Sequence, residues 1–339
     1  MRRLLAPVAV AAVLSLGPGP AAAEPLDLDL GRLGAPSADV WKRLAEAQQT
    51  PFTLPDATAA LLASEAKTRF AILSSETALA LSSAILAPAS TTGHSGFDVD
   101  LEAAYVAVHP QTVGATAFGA EGSPPTFEPR GPWQTRTMTP HELFLPSVHV
   151  RKALPFSFEV GGRMMYLSQS SYFAGQIEGK WALNEGFRVL PDLAVRAAHT
   201  QLFGQRDWNL GATDLDLIVS KRFGVNGVTS FTPYLAARFT YVSASSEVID
   251  FGPRRPGDTT STSPTDLRAT QASFPRLRAG YYRTTGGLRF TAHVVSLAGE
   301  VTYFGGATRD GGANPAPGEY PDFRLASSWG GALKAGWEF

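Results

Sequence analysis

The sequence closes on Trp329-Gly330-Gly331-Ala332-Leu333-Lys334-Ala335-Gly336-Trp337-Glu338-Phe339, and its side chains alternate. Trp329, Gly331, Leu333, Ala335, Trp337 and Phe339 share one parity; Gly330, Ala332, Lys334, Gly336 and Glu338 share the other. Successive side chains on a strand point to opposite faces. This stretch is therefore a strand with one greasy, aromatic face and one small or charged face.

The same period of two runs back through the chain to Phe97. There Phe97, Val99, Leu101, Ala103, Tyr105 and Ala107 oppose Asp98, Asp100 and Glu102. Further runs follow at residues 143–154, 155–168, 172–183, 187–199, 210–222, 228–243, 274–291, 294–304 and 326–339. Each is long enough for the roughly 9–11 residues of a tilted membrane strand. In residues 274–291 the outward parity is read as shifting, from Leu277, Ala279 and Tyr281 to Leu288 and Phe290. A bulge at 284–287 would absorb the shift. A hidden hairpin there would raise ten strands to twelve.

The aromatic terminus and these runs resemble bacterial outer-membrane β-barrels, whose last strand ends in an aromatic residue. The resemblance implies an all-β, transmembrane, antiparallel up-and-down barrel in the outer membrane of a Gram-negative cell. It also implies that Phe339 is the signal read by the barrel-assembly machinery. Outer-membrane lipid and that machinery are the partners it implies.

Connections and aromatics point the same way. The long connections (110–141, 200–209, 244–273 and 305–325) fall on one side with a short one at 169–171. The tight ones (154–155, 184–186, 224–227 and 292–293) fall on the other, as in barrels with long outer loops and short periplasmic turns. Phe156, Phe187, Phe223, Phe231, Phe290, Trp337 and Phe339 fall at the turn ends of strands. Tyr166, Phe173, Tyr241, Tyr281, Tyr303 and Trp329 fall towards the loop ends, giving two interfacial belts.

Ahead of the barrel (97–339) stand two other regions. Residues 1–23 read as a secretory signal peptide: Arg2 and Arg3, an apolar run through Leu16, and Ala21-Ala22-Ala23 before Glu24. Residues 24–96 read as a helical or irregular segment, in the periplasm or plugging the lumen. Ser37 caps one helix through Glu46; Asp56 caps another, with Leu62, Ala66, Phe70 and Leu73 at near-helical spacing. Residues 76–86 also permit a strand. The chain has 29 basic and 30 acidic residues and no cysteine. No basic face argues for nucleic acid, and no thiolate metal site can form.

Inward parity carries the charge. The acids are Asp98, Asp100, Glu102, Glu159, Glu178, Asp192, Asp214, Asp216 and Glu300. The bases are Arg151, Arg163, Lys180, Arg196, Arg222, Arg238, Arg276, Arg278 and Lys334. Nearly matched signs in a small cylinder point to a filled or narrow interior, because wide aqueous channels need more strands. Catalytic sets are weak. Asp214, Asp216 and His199 bear only a partial likeness to omptin-type proteases, since no Asp-x-His occurs. His293 and Ser296 are close in sequence but on opposite parities. His94, His109, His141 and His149 lack ligand spacing. The expectation is no enzyme, no cofactor and no metal. A narrow transport or ligand-binding barrel stands first, a structural or surface-interaction barrel acting through its loops second, and an outer-membrane hydrolase last.

Deleting Phe339 is expected to lower outer-membrane assembly several-fold, measured as the heat-modifiable band in outer-membrane fractions. Unchanged levels would refute its role as the cue.

Overall fold

The computed structural model describes residues 26, 28–34, 56–93, 95–118, 126–135, 138–225, 228–250, 271–310 and 319–339. The signal-peptide reading, the helix from Ser37 and His94 lie outside the described residues.

Ten antiparallel strands make the wall: β1 (Phe97–Ala107), β2 (Glu142–Leu154), β3 (Phe158–Tyr166), β4 (Phe173–Asn184), β5 (Asp192–Phe203), β6 (Trp208–Ser220), β7 (Thr229–Ser246), β8 (Leu277–Ala292), β9 (Val295–Phe304) and β10 (Ser328–Glu338). Each pairs with its sequence neighbour, and β10 pairs with β1 as well as β9. The ring is closed. Phe97 N donates to Phe339 O at 3.0 Å and Phe339 N to Phe97 O at 2.8 Å, so the terminal residue seals the seam. Closure leaves no edge, and a bilayer demands that because lipid offers unpaired backbone groups no partner.

Burial alternates along every strand. On β7, Phe231, Pro233, Leu235, Ala237, Phe239 and Tyr241 face out, and Thr232, Tyr234, Ala236, Arg238 and Thr240 face in. At about 3.4 Å per residue and a tilt near 40°, this outward run is about 25 Å tall, the height of an outer-membrane barrel's apolar band. Aromatic pairs rim it. Phe158–Trp181 (5.4 Å) and Phe223–Phe231 (5.0 Å) sit at the turn end; Tyr166–Phe173 (5.1 Å) and Tyr303–Trp329 (4.4 Å) sit at the loop end. Closed ring, apolar band and paired girdles make the chain an outer-membrane β-barrel.

Three sequence readings need correcting. First, β8 carries no bulge: it pairs with β7 without a break from Ala244↔Leu277 to Thr229↔Ala292. Leu277 and Tyr281 are buried inside, while Arg276 and Arg278 are exposed. The outer half of the lumen is apolar too, so hydrophobicity there does not mark the lipid side. Second, β5 begins at Asp192 and not at 187. Phe187, Val189 and Leu190 are exposed on a turn. It is closed by Asn184 Nδ2 on Pro191 O (2.9 Å), Gly186 N on Asp192 Oδ1 (2.9 Å) and Lys221 Nζ on three turn carbonyls. Arg222 is exposed in the next turn. Third, residues 76–81 are helical and add no strand.

That helix, α1 (Asp56–Leu81), fills the loop-side half of the lumen. Ala66, Phe70, Ile72 and Leu73 are buried, as expected of a helix surrounded by wall. Phe70 stacks on Phe274 at 4.5 Å, Ser75 Oγ meets Tyr281 OH at 2.8 Å, and Trp208 Nε1 donates to Ser74 Oγ at 3.2 Å. Above it a short 3-10 turn, Leu30–Leu33, crosses the mouth with Leu26, Leu28, Leu30 and Leu33 buried. Leu26 N donates to Gln169 O on a loop-side turn. The chain therefore runs from the loop side, down through the lumen, to β1 at the turn side.

Gly287, inside β8, makes room for Tyr234: a Cβ there would meet the phenol ring at 2.2 Å. Gly287→Ala is expected to destabilise the barrel by roughly 1–3 kcal/mol through overpacking. A lowered heat-modifiability midpoint would show it.

Candidate functional site

Below α1 the lumen turns polar. Residues 82–92 cross it with no regular secondary structure. A buried backbone of that kind carries N–H and C=O groups that must find partners. The wall supplies them by charge.

Cations take the carbonyls. Arg283 donates to Leu79 O (2.8 Å) and Ser82 O (3.1 Å), Arg238 to Ser82 O and to Ser83 O (3.1 Å), and Arg163 to Ala84 O (2.8 Å). Three guanidiniums thus gather at the C-terminus of α1, where unpaired carbonyls and the helix dipole favour positive charge. Lower down, Lys180 donates to Pro88 O (3.3 Å) and Ser90 O (3.1 Å). Anions take the amides. Glu300 accepts from Ile85 N and Leu86 N, both at 2.7 Å. Leu86 has φ +52°, and a backbone bent this way aims consecutive N–H groups at one anion. Glu185 accepts from Thr91 N (2.8 Å) and Glu159 from Thr92 N (3.2 Å).

The same side chains pair with one another around the wall. Asp98 and Asp100 hold Arg151 and Lys334, with Arg151 and Lys334 at 2.8 Å from Asp100. Glu159 meets Lys180 at 3.0 Å and Glu102 meets Arg163 at 2.7 Å. Arg196 joins Glu178 to Asp216, the latter at 2.5 Å, and Asp216 continues to Arg238. Asp214 accepts from Thr240 (2.6 Å) and Arg283 (3.1 Å). Asp192 stands apart at the turn-side rim, closing the 185–191 turn. Every other charge so far named on the inward parity of the wall, apart from the three exposed arginines, belongs to this belt or to the linker's contacts. Phe339 lies outside, exposed towards lipid.

Four members were missed in the sequence. His149 is buried between Glu102 Oε1 (3.0 Å) and Glu178 Oε1 (3.2 Å). Its parity with Arg151 on β2 was the available signal. Arg283 fell on the wrong face through the supposed bulge, and Arg289, which bonds Glu338, lies on the same strand. Tyr234, which donates to Glu300 at 2.8 Å, gave no charge to count. Donor atoms of Asp100, Glu102 and His149 lie within 4.8 Å of one another, a set of metal-ligand types. Arg151, Lys334, Arg163 and Glu178 already engage them, so the set reads as part of the ion-pair belt.

The candidate catalytic sets are not assembled. His199 points outward and bonds Thr213 at 2.9 Å, while Asp214 and Asp216 point inward. His293 occupies the tight turn between β8 and β9 with φ +53°, and Ser296 is buried in the lumen. His141 is exposed at the start of β2.

A second contact set locks the mouth. Glu76, on α1, accepts from Trp133 Nε1 and meets His109 Nδ1 at 3.3 Å. Both partners lie in the connection from β1 to β2. Arg69 donates to Leu33 O (2.8 Å) and Val113 O (2.7 Å), joining helix, cap and loop.

No family model and no curated protein matches the chain. Among solved structures it is similar to the N-terminal β-barrel domain of Pseudomonas aeruginosa OprF, at 11% identity and TM-score 0.27, covering 73% of this chain and 99% of that one. It is similar to P. aeruginosa OprG at 11% identity and TM-score 0.30, covering 74% and 99%. It is also similar to the translocator domain of the Neisseria meningitidis autotransporter NalP at 9% identity and TM-score 0.33, covering 81% and 98%. The barrel assignment rests on the closed ring itself.

Hydrogen bonding to Glu76 raises the His109 pKa above the ordinary histidine value of 6.5. A raised value means that this contact contributes fully below the unfolded pKa and is lost as pH rises through the folded one. Hydrogen exchange in residues 108–118 is expected to quicken as pH climbs from about 6 to 9, beyond the intrinsic rate change. His109→Gln should abolish the excess.

Proposed function

We propose that this protein works at its outer face, as a sealed barrel that anchors and presents its loops and N-terminal segment. One observation carries the reading: the wall charges are spent on one another and on the backbone of residues 82–92. A pore lining selects permeant ions with charges that face open water. Here guanidiniums face carbonyls, carboxylates face amides, and α1 occupies the space above. The connections at 108–141, 247–276 and 305–327 supply surface of the length that often serves binding. Phe339, paired with Phe97 at the seam, is proposed as the assembly cue.

A gated conduit is the second reading. It is favoured by the linker itself, which is irregular and, beyond Ser83, held to the wall by side-chain bonds, so a wall rearrangement would release it.

Planar-bilayer recording separates the two. The native barrel is expected to be silent across repeated insertions. Arg163→Ala, Arg238→Ala and Arg283→Ala combined should produce flickering current by freeing the end of α1. A steady current from the native protein would overturn the sealed reading, and discrete voltage-driven steps would favour the gate.

A further inference from the structure

On the outside of the wall, β5 to β9 form a groove of about 650 Å³, lined by Leu215, Leu217, Phe239, Tyr282 and Tyr303. Its floor is the pair Ala237↔Thr284, two small side chains between the larger Phe239 and Leu235. The groove is kept open from both ends. Phe239 lies over Gly280, where a Cβ would meet its ring at 2.8 Å, and Leu235 lies over Gly286 at 3.3 Å. The two large side chains lean apart and leave the notch between them.

The register sets what stands above. Towards the loops, the next outward tier is His199–Thr213–Tyr241, and above it Ser243 pairs with Arg278. Arg278 and Arg276 are exposed, and Arg309 Nη1 donates to the Arg278 carbonyl. Polar groups and arginines thus cap an apolar notch on a single face. Arg278 to Thr284 is about 20 Å along the strand, or about 15 Å in depth at a tilt near 40°. That is about one leaflet of a hydrocarbon core ~30 Å thick. Arginine guanidinium geometry suits phosphate oxygens.

We propose that this groove is a specific lipid site: one acyl chain fills the notch over Ala237 and Thr284, and Arg278 with Arg276 holds an anionic phosphate head group in the outer leaflet. The lipid is chosen by head-group charge above and notch width below.

The test titrates the full-length, detergent-solubilised barrel with phosphatidylglycerol or phosphatidylcholine and counts bound lipid by native mass spectrometry. One phosphatidylglycerol is expected to be retained, at least about tenfold more tightly than phosphatidylcholine. Ala237→Leu, which fills the notch, and Arg278→Ala should each weaken retention by about tenfold. Ala335→Leu, outward on β10, should leave it unchanged. All variants are checked for folding by heat-modifiability; Arg278→Ala, in a solvated position, keeps the test alive should Ala237→Leu misfold. Equal retention of the two lipids, or native retention in either groove variant, overturns the proposal. So does a native dimer that Ala237→Leu splits, which would make a second copy the occupant.

Discussion

Every backbone amide and carbonyl removed from water must be given a partner, and this molecule meets that demand twice by different means. In the wall it is met by closure: ten strands pair around a ring, and Phe339 completes it against Phe97. In the lumen it is met by charge, because residues 82–92 form neither helix nor sheet. Leaving a buried polar group unmade costs about 1–3 kcal/mol, and more for a charge. The belt of ions and the linker therefore stabilise each other. Remove the linker and Arg238, Arg283 and Glu300 each lose their backbone partners. Remove the ions and most of the linker's buried carbonyls and amides lose theirs.

The lumen is thus built in two storeys. α1 takes the upper one by apolar packing, Phe70 on Phe274, and the linker takes the lower one by ion and hydrogen bonds. Buried ion pairs are poor sources of net stability, since desolvation offsets their attraction. Their use here is positional: alternating sign down the wall, guanidinium then carboxylate then ammonium, matches carbonyl then amide then carbonyl along one stretch of chain in one register.

Much of this was legible from residues alone, and the failures share a cause. The strands and the aromatic rims follow from period-two alternation, which survives any lumen content. The inward charges from Asp98 to Lys334 follow from the same parity. What alternation does not supply is which apolar face meets lipid when both faces are apolar. Leu277 and Tyr281 look like lipid-facing residues because the loop-side half of the lumen, where they are buried, is packed with apolar side chains too. From that one ambiguity came the supposed bulge, the inverted placement of Arg276 and Arg278, and the loss of Arg283 from the belt. The position of α1 was equally hidden: its spacing predicts a helix, but a helix buried all round over residues 69–81 looks much the same in a lumen as in a soluble domain.

The direction of the chain through its own cylinder has a consequence for biogenesis. Leu26 rests at the loop-side rim and Phe97 starts the wall at the opposite one, so the leader threads the hoop that its own descendants build. A hoop already fastened would leave the leader on the wrong side. The seam between first stave and last is thus the joint that shuts the hoop around its own leader.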